Sequence, residues 1–398
     1  EPTAVANPVS VTEPVTISVW HVWGGSRLEM MDKQIADFQA LYPNITVENT
    51  LLDQADMAEK YLTAIASGNP PDVIMVHGAR FFQAFADEGA LIPLDDYIAR
   101  DQLDVATFYP SDLETYVYDG TTYGLPLATG TGSYVFHIDE DAFKAAGLDP
   151  TKPPTTWQEL KDYAQKLTIK EGDKFIQIGF NPVGGENYPF KEWLFLNNGK
   201  LISDDGKQIL FNSEEGIDTI NWMVSFYDDL YGGFNNVIDL VGTSTPSGYN
   251  DKDPWYKDAI AMHVDGIWHY AQLVANAPEK HVLASLMPYN GDNPDAKVRN
   301  IVEGAWAYSI PSGAKNPDAS WLFVKYATAG DGNKNFFMAQ GRPSPVIAFN
   351  EDPAMAGENP YWDAYIANMD KSEKSRITPV SGQINELITR MTEEALMK

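Results

Sequence analysis

The run Val73-Ile74-Met75-Val76, which follows Pro70-Pro71, is continuously apolar. A segment with no polar face to offer water reads as a parallel strand buried on both sides of a sheet. The residues before it repeat one pattern. Val15, Ile17 and Val19 alternate along a strand ending at the turn Trp23-Gly24-Gly25, and Leu28, Met31, Ile35 and Phe38 then recur at helical spacing. Ser26 and Glu29 have the spacing of a capping box. After Pro43, a second strand at Ile45 to Val47 leads into a helix bearing Met57, Leu62 and Ile65 that stops at Ser67-Gly68. Strands alternating with helices predict α/β sheets, in which ligands sit beyond the carboxyl ends of the strands. The loops starting at His21 and His77 are therefore the first places to look for function.

At 398 residues the chain exceeds the roughly 250–300 at which one hydrophobic core stops growing, which predicts two lobes. A second α/β region begins near Leu125-Pro126, Thr156 and Glu159 form a further capping box, and Asn316-Pro317 reads as a helix start. No repeat or long linker separates the halves, so the chain is expected to cross between lobes more than once. The 56 acidic residues against 28 basic ones give a formal charge of −28, which repels phosphate backbones and argues against nucleic-acid or direct membrane binding. With no cysteine, disulfides, thiolate catalysis and cysteine-held metals are excluded. The opening stretch 1–14, rich in Pro, Thr, Val and Ala, reads as a flexible tether.

The segments ISVWHVWGG, FQALYPNITVE, AIASGNPPDVIMVHGARF, GALIPLDDYI and YGLPLATGTGSYVFHIDEDAF follow one another, and PTTWQELKDYAQKL, AIAMHVDGIWHY, GAWAYSIPSGAKNPDASWLFVKYA and GRPSP come downstream. In this order they resemble the extracellular solute-binding proteins of sugar-importing ABC transporters, the group that includes maltodextrin binders. The resemblance implies a two-lobed α/β periplasmic-binding-protein fold, type II-like, closing on its ligand by hinge motion. It places about three crossovers near Gly124–Gly130, Met262–Gly266 and Gly304–Ile310. The N-terminal lobe then comprises 15–126 and 264–307, and the C-terminal lobe 127–263 and 308–398. It further implies a receptor that is periplasmic or a cell-surface lipoprotein and is partnered by a membrane permease; the net charge suggests a monomer, and scattered histidines and the lack of catalytic motifs lead us to expect no cofactor, metal or catalytic residue.

A sugar offers apolar C–H faces and a rim of hydroxyls, so its site needs flat aromatics and planar polar groups. A tryptophan is ordinarily core, but Trp268 follows Asp265-Gly266 in the setting of the family's stacking residue. Trp23, Trp193 and Trp306 are the other aromatic candidates. His21, His77, Arg80, Thr131, Tyr188, Asp265, Glu303 and Arg342 are the polar ones, raised above ordinary surface or capping residues by their place at strand ends and crossovers. Ala79 and Gly130 stand where maltodextrin binders carry carboxylates, which argues against maltose itself.

A phosphate ester or a polyamine is the main alternative ligand. Arg27, Arg80 and Arg342 would serve the first, and Asp265, Glu303 and the tryptophans the second. A glycoside hydrolase would need a spaced carboxylate pair, which no motif nominates. His263 and His269, six residues apart, do not have a metal-ligand spacing. Small-angle scattering tests the hinge expectation: saturating ligand is expected to reduce the radius of gyration, and an unchanged profile counts against closure.

Overall fold

The computed structural model describes residues 10–183, 190–241, 253–302 and 304–397. The chain divides into two compact units, the first comprising 1–131, 303–357 and 377–382 and the second 132–302, 358–376 and 383–398. Along the chain the strands of the two main sheets are β1 (Val15–His21), β2 (Ile45–Leu51), β3 (Val73–His77), β4 (Leu125–Pro126), β5 (Tyr134–Asp139), β6 (Ile169–Glu171), β7 (Lys174–Phe180), β8 (Ile260–Gly266), β9 (Val282–Ser285) and β10 (Trp306–Ser309).

The first unit carries the sheet β2-β1-β3-β10-β4. β1 runs parallel to β2 from Val15 opposite Ile45 to His21 opposite Leu51, and parallel to β3 with Trp20 opposite Ile74. The apolar run Val73–Val76 is buried on both faces, as its sequence demands. β10 is antiparallel to β3 and sets Trp306 opposite His77. One end of the sheet therefore carries His21, His77 and Trp306. The helix Ser26–Leu41 starts at Ser26 itself, after Gly25 at φ 61°, and has no side-chain cap. Gly25 takes a left-handed conformation open to glycine; the side chain of Ser26, on which the expected Ser26–Glu29 capping box rests, lies outside the described residues.

The second unit carries the sheet β9-β5-β8-β7-β6. β8 lies at its centre, antiparallel to β5 and parallel to β7, with all seven of its residues buried. The helix Trp157–Leu167 opens on the expected capping box, with the Thr156 side chain taking the Glu159 N–H and the Glu159 side chain taking the Thr156 N–H. It lies so close to β7 that a methyl group at Gly179 would come within 2.2 Å of the Ala164 carbonyl oxygen.

This division differs from the one expected from sequence. Met262–Gly266 is not a crossover, because it lies inside β8 and is hydrogen-bonded on both sides within the second sheet. Residues 264–302 belong with that sheet. Residues 308–357 belong to the first unit, since the helix Pro317–Thr328 packs on β10, β4 and β1. The chain also passes between units at 357–358, 376–377 and 382–383. Glycine marks close approach as readily as a hinge, and Gly266 marks the former.

Gly179→Ala is expected to cost about 1–3 kcal/mol through overpacking of β7 against its helix. Urea unfolding of the ligand-free protein measures this. Gly24→Ala, whose methyl would meet Leu51 only at 3.5 Å, is the near-neutral control.

Candidate functional site

His21 ends β1 and is fully buried. Its Nδ1 accepts the backbone N–H of Trp23 at 3.1 Å, so the neutral ring carries its proton on Nε2. That N–H is buried with no hydrogen-bond partner among the described residues. Burial lowers the His21 pKa to about 4 against the opposing charge of Asp32, so the ring is a neutral donor near pH 7. Trp23 is stacked on Phe336, with centroids 5.5 Å apart and planes at 11°, and meets Trp306 edge-on at 6.4 Å. Its indole N–H is likewise buried without a partner among the described residues. The Arg27 guanidinium lies 5.6 Å from the Trp23 ring centroid. His77 meets Trp306 edge-on at 4.8 Å, so the structure gathers Trp23, His77 and Trp306 into one cluster at the sheet end.

Arg80 lies in the turn Gly78–Phe82 that follows β3. With the Gln54 amide oriented oxygen-inward, that oxygen accepts from the Arg80 guanidinium, Nη2 at 3.1 Å. Thr131 is buried, shares a 3.0 Å hydrogen bond with Ser111 and donates its backbone N–H to the Thr129 hydroxyl oxygen. Thr129 in turn donates its hydroxyl to Asp112 at 2.5 Å, and the Gly130 N–H reaches the same carboxylate at 2.8 Å. Burial pushes the Asp112 pKa up to about 6, partly offset by these hydrogen bonds. Gly130 itself is pressed against Gly304, where a methyl would come within 2.8 Å of a backbone carbon. A side chain at 130 would therefore require the backbone at 304 to shift. Arg342 is buried in the first unit with its guanidinium 5.2 Å from the Phe337 ring centroid.

In the second unit Trp193 is core rather than site. It has no exposed surface, donates its indole N–H to the Pro182 carbonyl at 3.1 Å, and is enclosed by Trp157, Phe180 and Trp222. The sequence made Trp193, in the stretch YPFKEWLF, an aromatic candidate, but it falls within the helix Phe190–Leu196.

Trp268 is half-buried and precedes the helix His269–Asn276. Its indole lies over Gly266, where an added methyl would come within 2.3 Å of three ring carbons, and it meets Tyr134 edge-on at 6.2 Å. The small residue at 266 therefore makes room for the indole itself.

Asp265 is buried, and both its oxygens are engaged. The Gly266 N–H donates to Oδ1 at 2.7 Å and His269 Nδ1 lies 2.8 Å from Oδ2. Burial alone would raise its pKa; the hydrogen bond and charge of His269, then His263 and the Gly266 N–H, overcome this and hold it below the usual range. His269 Nε2 accepts the Trp255 indole N–H at 3.1 Å, and His263 stacks on Trp255 at 5.1 Å. The sequence did not reveal this cluster, because Trp255, His263 and His269 meet only through the fold. Asp112 was missed for the same reason: at a helix start, an aspartate reads as exposed.

Tyr188 and Glu303 lie outside the described residues. Among the described residues no group of His, Asp or Glu side chains has the arrangement to hold a metal ion, and no helix is long and apolar enough to cross a membrane.

The family of bacterial extracellular solute-binding proteins matches residues 24–334. The chain belongs to that family. This solute-binding protein is 31% identical over 299 residues to the sn-glycerol-3-phosphate-binding periplasmic protein UgpB of Escherichia coli K12, covering 73% of this chain. The same protein from Escherichia coli O1:K1 matches at 31% over 310 residues and 76% of this chain. The match spans just under two thirds of these relatives' own length, 65% and 66%. Among solved structures, CpMnBP1 with mannotriose bound has a TM-score of 0.81 at 23% identity, covering 96% of this chain and 98% of that one. The MalE maltose/maltodextrin-binding domain of Bdellovibrio bacteriovorus, bound to maltotriose, has a TM-score of 0.77 at 18% identity, covering 96% and 95%. The protein thus has the two-lobed α/β fold of these binding proteins, as its sequence led us to expect.

The raised pKa of Asp112 has a consequence for stability. A folded-state pKa above the unfolded value of 3.8 means that folding favours the protonated carboxyl. Its contribution is full below pH 3.8 and is lost as pH rises through about 6, a span worth about 3 kcal/mol. Asp112→Asn, which stays neutral, is expected to flatten the stability-versus-pH curve across this window. Denaturant midpoints from pH 4 to 7 measure the difference.

Proposed function

We propose that this chain is the extracytoplasmic receptor that captures a di- or oligosaccharide and delivers it to the membrane permease of an ABC importer. The observation that carries this reading is the cluster at the sheet end of the first unit. There Trp23, His77 and Trp306 lie together, beside two buried donors with no partner among the described residues, His21 Nε2–H and the Trp23 indole N–H. Aromatic faces suit the C–H faces of a sugar ring and neutral donors suit its hydroxyl oxygens. The half-buried Trp268 of the second unit is the proposed stacking platform, and Thr131, Arg80 and Arg342 of the first unit are the further polar residues proposed. Solved structures of the same fold that hold mannotriose, mannobiose and maltotriose support the ligand class.

The receptor works as a binding protein rather than an enzyme, as a monomer, in the periplasm or on the cell surface through a lipid anchor. Its lobes, with boundaries as the two compact units, close on the ligand by hinge motion.

A phosphate ester is the second reading. It is favoured by the 31% identity to proteins named for sn-glycerol-3-phosphate binding, and Arg27 and Arg80 in the first unit would meet the anion. Titration calorimetry with mannobiose, mannotriose, maltotriose and sn-glycerol-3-phosphate at low and high salt separates the two. A neutral saccharide is expected to bind with little salt dependence and a phosphate ester to weaken as salt rises. Binding of glycerol phosphate alone, with a steep salt slope, overturns the saccharide reading.

A further inference from the structure

We propose that Trp255, His269 and Asp265 form a positioning relay that sets the orientation of Trp268. The proposal rests on reading Trp268 as the stacking platform, but its test below does not. The direction of the relay follows from hydrogen-bond chemistry. An indole N–H can only donate, so His269 Nε2, 3.1 Å from Trp255 Nε1, must be an acceptor. The His269 ring proton then sits on Nδ1, where it donates to Asp265 Oδ2 at 2.8 Å. The other Asp265 oxygen takes the N–H of Gly266 at 2.7 Å. Trp255 and His269 have no exposed surface and Asp265 almost none, so water does not replace any member of the chain.

Trp255 is itself held. His263 stacks on it with planes at 20°, and the Lys280 ammonium lies 4.6 Å from its ring centroid. Lys280 is anchored by Asp139 and by Asp258 at 2.6 Å. The relay therefore transmits a fixed position from the interior of the second unit to the end of its central strand.

Its effect falls on Trp268 because of sequence spacing. Asp265 and His269 are four residues apart and bonded to each other, so the intervening Gly266-Ile267-Trp268 is closed into one turn. Ile267 is buried and its backbone N–H is tied to the Ser133 carbonyl at 3.0 Å. Trp268, immediately before the helix, is left folded back on Gly266 with its six-membered ring over the glycine. A stacking platform is useful only if its plane is set before the ligand arrives, since ordering a side chain on binding reduces affinity. The relay supplies that preorganisation without touching the ligand.

Nuclear magnetic resonance of the ligand-free protein, labelled in glycine and histidine, tests this. The Gly266 α-protons are expected to be shifted upfield by the Trp268 ring current, and Trp268→Ala identifies that shift by abolishing it. The His269 ring proton is expected on Nδ1. Trp255→Phe, which keeps an aromatic filler but loses the donor, and His269→Leu are expected to reduce the Gly266 shift. His269→Asn, which can still donate to Asp265, is expected to restore much of it. A ring proton found on Nε2 overturns the relay. So does an unchanged Gly266 shift in Trp255→Phe, even with a lowered melting temperature, because a merely structural role would give that result. If His269→Leu does not fold, Trp255→Phe decides the matter. With mannotriose as probe, Trp255→Phe is expected to weaken binding roughly 2- to 10-fold; unchanged affinity alongside a reduced Gly266 shift overturns the link to binding. Failure of the wild-type protein to bind mannotriose counts against the saccharide reading, while the resonance measurements still decide the relay.

Discussion

Both units depend on how a chain with 56 acidic and 28 basic residues satisfies the carboxylates it buries. An unpaired buried charge is too costly to keep, and a lysine or arginine partner is not available for each. Asp72, Asp112, Asp139 and Asp265 are all buried, and each is held by at least one backbone N–H. Asp72 takes the N–H groups of Ser18 and Asn316, tying β1 to the start of the helix Pro317–Thr328. Asp112 takes the N–H of Gly130, Asp139 that of Ala142 and Asp265 that of Gly266. Each carboxylate fixes a loop or strand end, so the acids that look like a solubility feature in the composition also fasten the turns where function concentrates.

Asp112 and Asp265 show that the second donor decides the electrostatic outcome. Asp112 is completed by a threonine hydroxyl, a neutral donor that only partly compensates for lost water, and its pKa is pushed up to about 6. Asp265 is completed by an imidazole and has a second histidine nearby, and its pKa is held down in spite of equal burial. Like residues at like depth thus differ in charge behaviour because one is completed by a hydroxyl and the other by an imidazole hydrogen bond.

The parts of the fold legible in the sequence were those set by local rules. The apolar run of β3, the alternation of β1, the Thr156 capping box and the glycine stop after the second helix each depend on a few adjacent residues. Assignment of strands to units was not legible where it depended on pairing across long separations. β8 joins β5 and β7, and β10 joins β3, through contacts that no local pattern announces. The same limit applies to the candidate site. Strand ends picked out His21 and His77 because a strand end is a local feature, and the structure gathers His77 with Trp306 and Trp23. Trp193 was misplaced because enclosure by Trp157, Phe180 and Trp222 is a property of packing. Trp255 was invisible because its role begins only when His269 is beside it.

The residues proposed for the ligand differ between the two units in how their polar groups are satisfied. In the first, burial keeps His21 neutral and leaves its Nε2–H and the Trp23 indole N–H without acceptors among the described residues. Buried donors in that state carry a desolvation cost that an acceptor would remove. In the second, the carboxylate nearest the candidate platform already has donors on both its oxygens. A carboxylate with donors on both oxygens has little to gain from a ligand hydroxyl, so the role proposed for it is geometric. The buried donors of His21 and Trp23 fit the proposed ligand, one rich in acceptor oxygens and apolar C–H faces.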